Sequence, residues 1–137
     1  MRLEDSLQKI KIIDFGSQFT QLIARKIREI GVYCEIIHYK KLLDKIELHK
    51  PKAIIFSGGP SSAFAKSSPK VDKRVFNKNI PILGICYGMQ IICEQLKGKV
   101  KQTEKREFGN AYIKALRPNP LFKGIIKYGQ KSKVWMS

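Results

Sequence analysis

Short apolar runs alternate with amphipathic stretches through the first two thirds of the chain. Lys11 to Phe15 reads as a strand stopped by Gly16. Ser17 is placed to cap the next helix, because a serine hydroxyl accepts from the free amides of a first turn. Leu22, Ile23, Ile27 and Ile30 recur at helical spacing and predict one apolar face. Gly31 is expected to end that helix. Tyr33 to Ile37 reads as a second strand, and Leu42, Leu43 and Ile46 predict a short helix before Pro51. Ala53 to Phe56 is a third strand, Asp72 to Asn77 a short helix, and Ile82 to Ile85 a fourth strand. A helix from about Tyr87 to Lys97 follows, ended by Gly98.

Apolar strands separated by helical patterns predict an α/β fold: a three-layer sandwich around a mainly parallel central sheet. Ligands of such sheets bind beyond the carboxyl ends of the strands. Three loops fall at that rim: Asp14-Phe15-Gly16-Ser17, Ser57-Gly58-Gly59-Pro60 and Cys86-Tyr87-Gly88. After Gly98 the pattern changes. Val100 to Thr103, Ala111 to Ala115 and Lys133 to Met136 read as short strands, expected as an antiparallel addition to the main sheet.

Composition narrows the class. The 137 residues are 43% hydrophobic, enough for one cored domain. No window approaches the roughly 18 apolar residues of a membrane span, and Met1 to Ser6 lacks a signal-peptide core, so a cytoplasmic protein with no membrane partner is expected. The three cysteines, Cys34, Cys86 and Cys93, form no disulfide framework and no metal-ligand spacing. Cys34 and Cys93 read as core residues within a strand and a helix. Twenty-seven Lys and Arg against eleven Asp and Glu give a formal charge of +16. The lysines are scattered singly or in pairs, without an arginine-rich run, which favours a lysine-rich solvated surface over a nucleic-acid partner.

The candidate chemistry lies in Gly84-Ile85-Cys86-Tyr87-Gly88, a G-x-C-x-G sequence between a strand and a helix. It is the thiol form of the nucleophile elbow, which stands a nucleophile on a sharp turn. The positive end of the following helix favours an anionic sulfur. In sites of this kind the oxyanion is held by the amide after the nucleophile, here Tyr87, and by an amide of a second strand-to-helix loop, here Gly58-Gly59. Glycine lets that loop turn its N–H inward.

Asp14-Phe15-Gly16-Ser17-Gln18, Ser57-Gly58-Gly59-Pro60-Ser61-Ser62, the elbow through Met89-Gln90, Arg106-Glu107-Phe108-Gly109 and Val134-Trp135-Met136-Ser137 follow one another in order. In these motifs the chain resembles the class I glutamine amidotransferase domain of the GMP synthase family, from about Lys9 to Ser137. The resemblance implies hydrolysis of glutamine to glutamate and ammonia. It also implies a separate ATP-dependent synthetase domain that uses the ammonia to convert XMP to GMP. Carried over, Cys86 is the nucleophile and the Gly59 and Tyr87 amides hold the oxyanion. Gly58, Gln90, Met136 and Ser137 bind glutamine, and Glu107 supports the site from behind. No cofactor is implied for this chain.

The family completes its triad with a His and a Glu in an H-P-E motif, which this sequence lacks. His38, after the second strand, and His49, before the third, are poorly placed to substitute. The resemblance therefore implies a C-terminally incomplete amidotransferase domain over residues 1–137, without the synthetase half. Loss of a general base typically removes 10²–10⁴-fold of rate, so a weak or inactive glutaminase is expected. Two alternatives stay open. One is a split enzyme in which another chain supplies the His and Glu. The other is a non-catalytic module that kept the fold, with nucleic-acid binding through the basic surface as its variant.

Overall fold

A computed structural model describes residues 9–60, 62, 63, 65–104 and 108–136. They form two compact units, residues 1–100 and 101–137. In the first, β1 (Lys9–Asp14), β2 (Tyr33–His38), β3 (Ala53–Phe56) and β4 (Ile82–Gly84) make a parallel sheet in the order β2-β1-β3-β4. The helices are α1 (Thr20–Glu29), α2 (Leu42–Leu48) and α3 (Tyr87–Gln95), with short 3₁₀ turns at Tyr39–Lys41 and Lys73–Asn77.

Alternation along the strands sends successive side chains to opposite faces. Ile12 and Cys34 pack with Ala24 of α1, joined by the partly buried Ile23, Ile27 and Ile55. Ile13, Ile37, Ile54 and Phe56 pack on the other face with Leu42, Leu43 and Ile46 of α2 and Ile91 of α3. The sheet is thus the middle layer of three, as the sequence predicts. From β1 the chain steps outward to β2, then crosses back past β1 to β3. The strand order therefore reverses between β1 and β3, where doubly wound sheets bind ligands.

Four local expectations are corrected. Ser17 is not the N-cap of α1. That position is Phe19, without a side-chain cap. Ser17 Oγ instead accepts from the Phe19 amide at 3.0 Å, one step before the helix. Leu22 and Ile30 do not face the core. Ile30 lies past the last helical residue and is 77% exposed. The helix sits close on β1, so its inward positions are small: Thr20 and Ala24. Gly31 does end the helix, at φ +78°. Val100 to Thr103 forms no strand; Val100 is its single large apolar residue, too little to hold a buried edge.

The fourth correction concerns the second unit. There β5 (Gly109–Lys114) and β6 (Lys131–Met136) pair antiparallel in a sheet of their own rather than extending the parallel one. A 3₁₀ turn at Pro120–Phe122 lies between them, capped by Asn119, whose side chain accepts from the Leu121 amide at 2.9 Å.

Candidate active site

β4 ends at Gly84, and α3 begins at Tyr87. Two residues must reverse the chain between them. Cys86 takes the strain, with φ +50° and ψ −116° in a region non-glycine residues rarely enter. The glycines on either side make the turn feasible by close packing. A Cβ on Gly84 would lie 2.7 Å from Met89 Cα, and one on Gly88 would run into the Phe56 carbonyl. The Ile85 amide donates to Phe56 O at 2.9 Å, and the Gly88 amide donates to Ser57 O at 3.0 Å. The Met89 and Gln90 amides return to Cys86 O at 3.1 and 3.2 Å. Cys86 is thereby exposed at the start of a helix rooted in the core by Tyr87, Gly88 and Ile91.

The glycine loop after β3 comes directly against it. A Cβ on Gly58 would stand 3.6 Å from Cys86 Cβ. One on Gly59 would stand 3.0 Å from Phe15 O and 3.4 Å from the Tyr87 ring. Phe15 wedges this arrangement, its ring edge-on to Tyr87 at 5.3 Å and to Phe56 at 5.5 Å. Gly16, Ser17, Gln18, Phe19, Gly58, Gly59, Pro60 and Cys86 line one cleft of about 460 Å³. All three loops singled out in the sequence meet there. Among the described residues nothing accepts from the Gly59 or Tyr87 amide.

Burial of the Tyr87 ring raises its phenol pKa, and its hydroxyl donates to Pro69 O at 2.5 Å. The side chain of Tyr87 is therefore structural. Gln90 lies one turn beyond Cys86 and is half-buried. Met136 ends β6 in the second unit. Ser137 and Glu107 lie outside the described residues.

The two histidines are away from the thiol. His38 is the last residue of β2, on the opposite edge of the sheet from β4. Three strand spacings separate those strands, roughly 14 Å. His49 follows α2 before β3 begins, on the opposite rim. Among the described residues no group of His, Cys, Asp and Glu is arranged to hold a metal. No described helix is long and apolar enough to cross a membrane. A second hollow of about 490 Å³ lies within residues 115–128, lined by Arg117, Phe122, Lys123 and Tyr128 among others. Its lining holds no cysteine, serine or threonine.

Two buried hydroxyls escaped the sequence reading. Thr20 and Ser57 are 2% and 0% exposed, and their oxygens lie 2.9 Å apart. The signal was available: Ser57 is polar at the end of an otherwise apolar strand.

Comparison with known proteins places these features in context. The family model for class-I glutamine amidotransferases matches residues 11–137. The glutamine-hydrolyzing GMP synthase of Brachyspira hyodysenteriae is 50% identical over 135 residues, 98% of this chain and 26% of that protein. The enzyme of the same name from Agrobacterium fabrum is 52% identical over 128 residues, 93% of this chain and 24% of its own length. The chain thus spans about a quarter of the curated relatives it matches. The crystal structure of a Thermoplasma acidophilum protein assigned as one subunit of GMP synthase superposes with a TM-score of 0.69 at 28% identity, covering 94% of this chain and 63% of that one.

Proposed function

The chain belongs to the class-I glutamine amidotransferase family, and on that premise we propose that it hydrolyses glutamine through Cys86 to supply ammonia for the conversion of XMP to GMP. The observation that carries the reading is Cys86 held at φ +50° beside two unengaged amides. Its sulfur attacks the glutamine amide carbon. The carbonyl electrons move to oxygen, which the Gly59 and Tyr87 amides receive. Each donor of this kind contributes on the order of 3 kcal/mol in the transition state. Collapse expels the nitrogen as ammonia, with the thiol proton transferred to it, and leaves a thioester that water hydrolyses to glutamate. Gly58 and Gln90 are assigned to glutamine binding, as the family motifs also assign Met136 and Ser137. No cofactor is required.

The proton transfers need a base, and neither histidine of the chain lies near Cys86. We assign that base to residues beyond these 137, in another segment or chain, and the amination to a synthetase partner. The names of the curated relatives and of the Thermoplasma protein support the GMP assignment. The test measures ammonia release from glutamine, with and without a GMP synthetase partner, XMP and ATP. Glutamine-dependent GMP formation that vanishes in Cys86→Ala is expected. Equal rates in Cys86→Ala and the parent chain would remove the assignment.

A further inference from the structure

We propose that Ser57 is a positioning residue that sets the distance between the two oxyanion-binding amides, through a hydroxyl pair it forms with Thr20. The inference rests on the amidotransferase reading above. Ser57 directly precedes Gly58-Gly59 and is completely buried. Its Oγ donates to Ile13 O at 2.6 Å, at the end of β1. A hydroxyl has one proton, so with that bond made Ser57 Oγ is the acceptor toward Thr20. Thr20 Oγ1 donates to it at 2.9 Å from the first residue of α1. Asp14 Oδ1 lies 3.5 Å from Thr20 Oγ1 and accepts the Gly16 amide at 2.8 Å.

The backbone of the same residue reaches the other side of the site. Ser57 O accepts from the Gly88 amide at 3.0 Å, and Gly88 directly follows Tyr87. One donor, Gly59 N–H, is therefore two residues downstream of Ser57, and the other, Tyr87 N–H, is one residue upstream of its hydrogen-bond partner. The hydroxyl pair fixes Ser57 against β1 and α1, while its carbonyl fixes α3. Loosening the hydroxyls frees the glycine loop to move relative to the elbow. An oxyanion hole requires its donors about 2.7–3.1 Å from the developing charge, and a displacement near 1 Å can remove about a hundredfold of rate.

The test is acylation of Cys86 by glutamine and by an activated γ-ester of glutamate, followed by intact-mass detection of the acyl-enzyme and by release of ammonia or alcohol. Alkylation by iodoacetamide, which passes through no oxyanion, serves as reference. Ser57→Ala and the near-isosteric Thr20→Val are each expected to slow acylation about 10- to 100-fold. Half-saturation should stay within about twofold and iodoacetamide rates should be unchanged. Thr20→Ser, which keeps the hydroxyl, should restore the parent rate. Because Thr20→Val keeps the branched shape and opens no cavity, it preserves the test if Ser57→Ala folds poorly. Parent-like acylation in Thr20→Val, or an equal loss in the iodoacetamide reaction, would overturn the proposal. Absence of acylation of the parent chain by the activated ester even with imidazole supplied as base would instead overturn the amidotransferase reading on which it rests.

Discussion

The strain at Cys86 can be measured directly. A non-glycine residue held outside its favoured backbone regions costs on the order of 1–3 kcal/mol. Glycine enters those regions freely but loses about 1 kcal/mol through unfolded-state entropy. At this position the two effects oppose each other, whereas at an ordinary one only the second acts. Cys86→Gly is therefore expected to be at least as stable as Cys86→Ala in urea denaturation, despite the glycine. A Gly variant about 1 kcal/mol less stable than the Ala variant would show that the backbone is unstrained in solution. Gly88 makes the opposite case. A methyl group there meets the Phe56 carbonyl, and the backbone of the central strand cannot yield. Gly88→Ala should lower stability by several kcal/mol, about the scale of core overpacking or more, and should abolish Cys86 modification by glutamine analogues.

Between β3 and β4 the chain has little regular structure and hangs on the nucleophile helix instead. Gln95, buried near the end of α3, accepts the Val71 amide at 3.2 Å and donates Nε2 to Val71 O at 2.8 Å. Tyr87 holds Pro69 O, and Lys70 pairs with Glu94 at 2.7 Å. Gln95→Ala leaves both polar groups of Val71 unsatisfied and should reduce stability by about 2–3 kcal/mol in urea. The next residue along, Asp72, caps the 3₁₀ turn. Its carboxylate accepts the Arg74 amide at 2.9 Å and the guanidinium at 2.9 and 3.1 Å. The Arg74 side chain, with its amide, holds the carboxyl down at about 2, against an ordinary 3.8. A depressed carboxyl stabilises the fold above its unfolded value, and that contribution is lost as the pH falls through the folded one. The cap should therefore persist at pH 4 and fail as the pH approaches 2. Carbon-13 titration of Asp72 should show a midpoint near 2 that climbs toward 3.8 in Arg74→Ala; an unshifted parent midpoint would contradict the geometry. This segment also shows why parts of the fold were legible and parts were not. The four parallel strands announce themselves through buried apolar runs such as Ile54 to Phe56, because both faces of a central strand are covered. The elbow and the glycine loop announce themselves through residues only a tight turn requires. Val100 to Thr103 and the placement of β5 and β6 depend on which strand edge is available, and local pattern carries no information on that. Ser57 marks itself by its polarity after an apolar strand, but its partner Thr20 does not, since a hydrogen bond between residues 37 positions apart has no local signature.

For the molecule as a whole, the decisive separation is that between Cys86 and the two histidines. Cys86 follows β4 at one edge of the sheet, His38 closes β2 at the other, and His49 lies at the opposite rim. The cleft beside Cys86 is open and lined by small or backbone groups at Gly16, Gly58 and Gly59. An exogenous base can therefore enter where the protein's own histidines do not reach. Imidazole titrates slightly above the ordinary histidine value of about 6.5, so near neutral pH a large share of it is the free base. A base positioned by diffusion recovers part of the 10²–10⁴-fold attributed to general base catalysis. Ammonia release from glutamine should therefore be slow in buffer alone. It should rise with imidazole concentration, increase with pH through the neutral range in which imidazole loses its proton, and vanish in Cys86→Ala. Replacing His38 and His49 together with alanine should leave both the slow rate and its rescue unchanged. Fast turnover without imidazole that disappears in the double histidine variant would show that the chain brings one of its own histidines to the thiol.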